Sequence, residues 1–239
     1  MERLWTPEEM MTVAAARHLP DRCICFVGIG RPGVAANLAR ATHAPGIVLV
    51  YESGAIGAKP WRLPLSIGDG ELAETADLVV SVPEMFNYWL QGGWIDIGFL
   101  GAAQIDRRGR INTTVIGDYT RPSVRLPGSG GAPEIARSSR RVLVVASHSP
   151  RVFVDRLDFI TSGAEGVSAV ITDLGVLDRD RASGELVLTA LHPGVSVDEV
   201  RAATGWPLRV ADEVRVSAPP APGELEALRT LVARREVAA

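Results

Sequence analysis

Lysine, cysteine and long apolar runs are scarce or absent in this sequence. Lys59 is the one lysine among 239 residues, and the formal net charge of −3 gives no electrostatic basis for binding nucleic acid or an anionic membrane. No apolar run reaches the roughly 18 residues that a membrane span needs. The start, MERLWTPEEM, carries acidic residues where a signal peptide has a basic region and then an apolar stretch. We therefore expect a cytoplasmic enzyme or binding protein, with no membrane contact and no nucleic-acid partner.

The cysteine and histidine patterns predict no metal site. Cys23 and Cys25 lie two residues apart in CICFV and would share one face of a strand. A structural zinc site needs four ligands, and a C-x-C pair supplies only two. The histidines are scattered and show no H-E-x-x-H spacing; they are His18, His43, His148 and His192. We expect two small buried thiols and no bound metal.

Segments of strand and helix character alternate along the chain. Apolar runs such as CICFV, IVLVY, IDIGFLGA and RVLVVAS alternate with helical segments, which predicts an α/β fold with a mainly parallel sheet covered on both faces. Capping boxes at Thr6 with Glu9 and at Ser196 with Glu199 predict two helix starts. PEMFNYWLQ indicates a further helix, and RRGR a turn between two strands. Without repeats or a linker, residues 1–239 are expected to form one domain, with a C-terminal helical tail at 219–239.

Three glycine-containing segments are placed where an open α/β sheet binds ligands, beyond strand ends or before helices. They are GIGRPG at 28–33, ESG at 52–54 and GSGG at 128–131. GIGRPG fits a dinucleotide-binding pattern, and Glu52 follows about 20 residues later, as a ribose-binding acid would. Against that interpretation, Pro32 removes one N–H donor from the loop. A second alternative is that these segments are only tight turns.

Glu52 directly follows the IVLVY run and precedes a glycine turn, which is an unusual setting for a surface glutamate. A carboxylate can attack a reactive acyl group such as a thioester when the oxyanion that forms is stabilised. Backbone N–H groups of glycine loops are suitable donors, and loss of one costs about 3 kcal/mol in the barrier. No G-x-S-x-G motif is present. The residues therefore favour acyl transfer through a glutamyl intermediate.

These stretches, taken together, resemble family I coenzyme A transferases, and most closely the B (β) subunit of the glutaconate CoA-transferase type. The resemblance rests on VGIGRPG, YESG, GAAQIDRRGRINTTVIGDY and GSGGA, in this order, and covers roughly residues 5–215. It implies a three-layer α/β/α sandwich of the NagB/RpiA/CoA-transferase-like class. It also implies a separate A (α) subunit, with the active site at the interface between the two chains.

The resemblance implies that Glu52 attacks an acyl-CoA and forms an acyl-glutamyl anhydride. The released CoA thiolate then returns to give glutamyl-CoA, from which a free carboxylic acid takes over the CoA. Coenzyme A is thus a co-substrate, and no bound cofactor is expected. Oxyanion or CoA contacts are assigned to Gly28, Gly30, Ser53, Gly54, Gly101, Gln104, Gly128, Ser129, Gly130 and Gly131.

Two alternatives remain open from the sequence. Relatives with this two-subunit fold hydrolyse, decarboxylate or cleave rings of CoA thioesters, and the SHSPRVFVDRLDFITS and LHPG stretches also resemble the ring-cleaving branch. A carboxylate such as Glu52 could activate water as a general base in a hydrolase. The other alternative is a nucleotide-binding or non-catalytic subunit.

Overall fold

A mixed sheet forms the centre of the computed structural model, which describes residues 4–236 and side chains through residue 234. The ten strands of the sheet are β1 (Ile24–Val27), β2 (Val48–Val50), β3 (Ala55–Ile56), β4 (Leu78–Val79), β5 (Ile97–Gly101), β10 (Arg141–Val145), β11 (Val167–Ile171), β12 (Gly175–Arg179), β13 (Leu186–Leu191) and β14 (Arg209–Val216). Two short hairpins lie between β5 and β10. They consist of β6 (Gln104–Ile105) with β7 (Ile111–Asn112), and β8 (Val115–Gly117) with β9 (Pro122–Arg125).

The strand order in the described residues is β14-β13-β12-β11-β10-β5-β1-β2-β3-β4. Parallel pairings join β11, β10, β5, β1 and β2 in the centre, and β13 with β14 at one end. Antiparallel pairings place β12 between β11 and β13, and β3 between β2 and β4. The predicted mainly parallel α/β fold is confirmed, and its parallel centre brings the carboxyl ends of five strands to one edge.

Helices cover both faces of this sheet. They are α1 (Pro7–Arg17), α2 (Arg31–Ala41), α3 (Gly70–Glu74), α4 (Val82–Glu84), a π-helix (Met85–Leu90), α5 (Ala132–Ser138), α6 (Val197–Ala202) and α7 (Pro222–Glu236). Helices α1, α2 and α7 contribute to one hydrophobic core, whereas the π-helix, α5 and α6 contribute to the other. No helix within residues 4–236 is long and apolar enough to cross a membrane.

The alternation of side chains along β1 shows how one strand serves both cores. Cys25 and Val27 face the core beneath α1 and α2, and Phe26 faces the core beneath α5. Cys23 shares the first of these cores, so the prediction of two small buried thiols is confirmed. Burial, with the nearby Asp96 carboxylate, raises the pKa of Cys23 to about 11.

Local capping signals are realised as the sequence predicts. Thr6 Oγ1 accepts a hydrogen bond from the N–H of Glu9, and the Glu9 carboxylate accepts one from the N–H of Thr6. Ser196 and Glu199 form the same reciprocal pair. Such caps satisfy N–H groups that a helix start leaves free, and each contributes about 1 kcal/mol.

Three local expectations need correction. Strand β2 ends at Val50, because the N–H of Tyr51 donates a hydrogen bond to Ala55 O and closes a turn instead of extending the ladder.

The segment PEMFNYWLQ forms one α-helical turn followed by the π-helix. In the wider turns of the π-helix, the N–H of Gln91 donates a hydrogen bond to Phe86 O. Strands β12 and β14, which the sequence does not predict, extend the sheet beyond its parallel centre.

Helix α7 lies within the segment expected as a helical tail at 219–239, of which residues 237–239 lie outside the described part. Leu225, Leu228 and Leu231 are buried, and α7 packs on α1 and α2. Arg17 of α1 donates two hydrogen bonds to the Glu224 carboxylate, which joins the first and last helices. The assignment of residues 1–239 to one domain stays a prediction.

Candidate active site

Glu52 lies on a tight turn at the carboxyl end of β2. The N–H of Gly54 donates to Tyr51 O at 2.9 Å, and the carbonyl of Gly54 accepts from the N–H of Val80 at 3.0 Å. Gly54 has φ +102°, and a Cβ there would lie 1.9 Å from Val80 O, so the turn requires glycine at this position. Ser53 and Gly54 thus form the turn that carries Glu52 and do not line the cleft described below.

A buried tyrosine supports this turn from the side of the core. Tyr51 is fully buried, and its hydroxyl accepts a hydrogen bond from Asn37 Nδ2 of α2 at 3.3 Å. Burial raises the pKa of Tyr51 to about 12, so the phenol stays neutral under ordinary conditions. The turn is therefore tied both to α2 and to the segment that precedes α4.

The GSGG loop lies directly against the Glu52 carboxylate, although 76 positions or more separate the two in sequence. A Cβ at residue 130 would be 3.7 Å from both Oε1 and Oε2 of Glu52, and a Cβ at residue 131 would be 3.3 Å from its Cδ. Within residues 4–236, the N–H groups of Gly130 and Gly131 have no protein acceptor. They are available to stabilise negative charge that forms on an attacked carbonyl.

Gly128, in contrast, has its backbone polar groups occupied. Its N–H donates to Thr113 O at 2.9 Å, and Thr113 Oγ1 donates to the Gly128 carbonyl at 2.8 Å. Ser129 O accepts a hydrogen bond from the N–H of Ala132, the first residue of α5, and this bond connects the loop to the helix. Gly128 and Thr113 thus fix the base of the loop, and Gly130 and Gly131 present its free N–H groups.

These elements enclose a cleft of about 470 Å³ at the carboxyl edge of the sheet. Its walls are the ends of β1 and β5, the GSGG loop and Glu52, with Phe26 and Phe99 at its base. Gly28 and Gly101 line it, in agreement with their placement at strand ends. Among the lining residues in the described chain, Glu52 is the one ionisable side chain. The cleft can therefore supply a nucleophile and backbone donors, and it contains no cation.

Besides Ser53 and Gly54, two further predicted residues lie outside the lining of the cleft. Gly30, with φ +80°, caps the start of α2 and borders a separate groove between α1, α2 and α7. Gln104 is buried, where its amide donates to Asp158 and accepts from Asn112. Their expected CoA contacts stay predictions. No group of three or more acidic, histidine or cysteine side chains that could hold a metal is found among the described residues.

A family model for coenzyme A transferases matches residues 8–203 of the chain. The chain belongs to the coenzyme A transferase family. It is 57% identical to the B subunit of 3-oxoadipate CoA-transferase of Pseudomonas knackmussii, over 98% of this chain and 96% of that relative. It is 32% identical to the B subunit of glutaconate CoA-transferase of Acidaminococcus fermentans, over 90% and 88% of the two chains.

The crystal structure of glutaconate coenzyme A-transferase from Acidaminococcus fermentans matches this coenzyme A transferase with a TM-score of 0.87. The match covers 95% of this chain and 94% of that one, at 29% identity. The resemblance to a B subunit of the glutaconate type is thus confirmed, as is the transfer of coenzyme A, with coenzyme A as co-substrate. Since both relatives are named as B subunits, a partner chain, the A (α) subunit, is implied.

Sequence reasoning missed two residues that shape the site of this coenzyme A transferase. Thr113 lies within the INTTVIGDY stretch, but its hydroxyl contact with Gly128 joins positions 15 residues apart. Phe86 lies on the π-helix and reaches Gly131 across the fold. The sequence carries no signal for either contact, because both depend on how distant segments pack.

Proposed function

We propose that the chain is the B subunit that carries the nucleophile of a transferase acting on a dicarboxylic 3-oxo acid such as 3-oxoadipate. The observation that carries the nucleophile assignment is that the Glu52 carboxylate lies in the cleft beside Gly130 and Gly131, whose N–H groups have no protein acceptor in the described residues. The 57% identity to the B subunit of a 3-oxoadipate CoA-transferase supports the substrate class.

In the first half-reaction, a Glu52 oxygen attacks the thioester carbonyl of the donor. The C–S bond breaks, CoA leaves as a thiolate, and an acyl-glutamyl anhydride remains. The thiolate then attacks the glutamyl carbonyl of the anhydride, which gives glutamyl-CoA and releases the donor acid. Gly130 and Gly131 stabilise the oxyanions of these additions through their N–H groups.

In the second half-reaction, the carboxylate of the acceptor acid attacks glutamyl-CoA and again expels the thiolate. The thiolate attacks the acyl carbonyl of the new anhydride, forms the product acyl-CoA and restores the Glu52 carboxylate. Every step exchanges one acyl bond for another, so the cycle needs no oxidant, metal or external base.

The A subunit has a specific task in this proposal. Both substrates are anionic, since coenzyme A carries phosphates and a 3-oxo diacid carries two carboxylates. The cleft of this chain offers one ionisable group, Glu52, which is itself an acid. We infer that the A subunit supplies the cationic groups that hold the phosphates or the remote carboxylate.

The experiment uses this chain co-expressed with its A subunit. Transfer from succinyl-CoA is measured to 3-oxoadipate, adipate, glutaconate and hexanoate, and we expect ping-pong kinetics with the highest kcat/KM for 3-oxoadipate. CoA release without an acceptor should be slow, because water must be kept from the anhydride. Rapid acceptor-independent release, with ¹⁸O from water entering the product acid but not Glu52, would instead indicate a hydrolase. A preference for hexanoate would contradict the substrate class.

A further inference from the structure

The Phe86 ring, on the π-helix, reaches the GSGG loop at Gly131. The π-helix begins after the capping box of Ser81 and Glu84 and packs on α5. The Phe86 ring meets Phe26 edge to face, with centroids 6.1 Å apart and an interplanar angle of 60°. Since Phe26 also lines the cleft, Phe86 is held between the cleft floor and the loop. π-Helical turns are uncommon and recur at functional sites.

The backbone conformation at residue 131 does not by itself require glycine. Its φ of −84° and ψ of 0° are accessible to any residue. A Cβ at this position, however, would lie 2.6 Å from Phe86 Cζ and 2.9 Å from Cε1, which is too close for real atoms. A side chain at residue 131 would therefore require the Phe86 ring to move.

The same point in space is also bounded by the nucleophile. The Cβ position of residue 131 is 3.3 Å from Glu52 Cδ, so both Phe86 and Glu52 lie next to it. A shift of the ring would let the Gly130–Gly131 backbone move relative to the carboxylate. Misplacement of reacting groups by about 1 Å can cost on the order of 100-fold in rate.

We propose that Phe86 is a positioning residue, whose ring sets the spacing between the Glu52 carboxylate and the N–H groups of Gly130 and Gly131. This inference rests on the proposed role of Glu52 as nucleophile. Phe86 is not among the residues that line the cleft, so in this proposal it acts through Gly131. The glycine at 131 and the aromatic ring at 86 are thus a matched pair.

The test uses four variants of the complex with the A subunit: Phe86→Leu, Gly131→Ala, the double variant, and Phe159→Leu. Phe159 is a suitable control, because it is also half-buried, stacks on Tyr119 at 5.4 Å and does not line the cleft. The single-turnover rate of glutamyl-CoA formation without an acceptor, the KM for acyl-CoA and the Tm are measured for each. The glutamyl-CoA adduct at Glu52 in the wild-type complex is checked by mass spectrometry.

Phe86→Leu is expected to slow the first half-reaction by about 10- to 100-fold, with the KM for acyl-CoA changed by less than about threefold. Gly131→Ala should slow it as much, because the methyl group displaces the ring. In the double variant the alanine methyl group fills space left when leucine replaces the Phe86 ring. The rate should therefore recover at least about tenfold over Gly131→Ala alone. Phe159→Leu should retain the wild-type rate.

A wild-type rate in Phe86→Leu, a loss confined to KM, or no recovery in the double variant would overturn the inference. Absence of a Glu52 adduct in the wild-type complex would instead overturn the proposed function. If Phe86→Leu does not assemble with its partner chain, Phe86→Met, which keeps more of the side-chain volume, takes its place with the same expected pattern.

Discussion

Gly130 lies beside the Glu52 carboxylate, and a Cβ at residue 130 would be 3.7 Å from both carboxylate oxygens. A side chain at this position would therefore contact the two oxygens that attack the thioester in the proposed mechanism. The residue also has φ +46°, a region that glycine adopts more readily than other residues. Glycine at 130 therefore keeps both the backbone N–H and the approach to the nucleophile open.

Gly130→Val should abolish most activity of the assembled enzyme. The valine side chain blocks the approach to Glu52, and we expect kcat/KM to fall by about 100-fold or more, as for loss of an oxyanion donor. Strain at a positive φ should also cost on the order of 1–3 kcal/mol of stability. Steady-state kinetics and the free energy of unfolding measure the two effects separately.

Gly109→Val is the matched control for this variant. Gly109 has φ +83° and lies in the turn of the β6–β7 hairpin, where a Cβ would meet Val167 Cγ1 at 3.1 Å. The variant should lose similar stability and keep its activity per folded complex. Equal losses of activity at both positions would show that Gly130 acts through folding and not through chemistry.

The hydroxyl of Thr113 should matter for the rate because it holds the base of the GSGG loop. Thr113→Val removes the 2.8 Å bond to the Gly128 carbonyl, which costs about 1 kcal/mol of stability. Thr42→Val removes a comparable hydroxyl-to-carbonyl bond, to Leu38 O at 2.7 Å, away from the cleft. We expect kcat to fall about tenfold in Thr113→Val. Similar kcat values for the two variants would contradict the role assigned to Thr113.

The isolated chain should have almost no transferase activity. Its cleft provides a carboxylate and backbone donors but no cation for the phosphates or for the second carboxylate of the substrate. On titration with the A subunit, activity should appear and then saturate at a fixed ratio of the two chains. Light scattering during the titration gives that ratio, and full turnover by the purified chain alone would contradict the prediction.

Acid should destabilise the protein through His148. The His148 ring is buried and stacks on Phe153 at 3.8 Å, and burial lowers its pKa from 6.5 to about 4. Between these values the unfolded state binds more protons than the folded state. The stabilisation, on the order of 3 kcal/mol, is therefore present above pH 6.5 and is lost as pH falls towards 4.

The free energy of unfolding measured from pH 4 to 7 tests this prediction. His148→Gln should show a shallower pH dependence than the wild type. Some dependence should remain, because burial also lowers the pKa of His192, whose ring bonds Thr172 O. Identical slopes for the two proteins would exclude His148 as a source of the pH dependence.

Local signals in the sequence predict local structure well. The capping boxes at Thr6 and Ser196 depend on residues three apart, and both form as expected. The RRGR turn and the helix after GSGG are equally local. Strand β14, in contrast, is largely exposed and rich in charged side chains, so its apolar content gives little indication of a strand.

The site could be predicted only in part, and mainly through the family resemblance. YESG and GSGG each indicate a glycine turn, but only the fold places Gly130 beside Glu52. The π-helix and the position of Phe86 have no sequence signature, since they follow from packing between segments about 45 residues apart. The same limitation explains why Gln104, expected in the site, is used in a buried amide network.

Peptide mapping after reduction shows whether Glu52 forms a covalent glutamyl intermediate. The complex of the two chains is incubated with succinyl-CoA without an acceptor and then treated with borohydride, which converts a glutamyl thioester into an alcohol. We expect this modification at Glu52 in the wild type and none in Glu52→Gln, whose kcat should fall by at least about 10⁴-fold. An unmodified Glu52, a modification at another residue, or near-normal activity in Glu52→Gln would contradict this expectation.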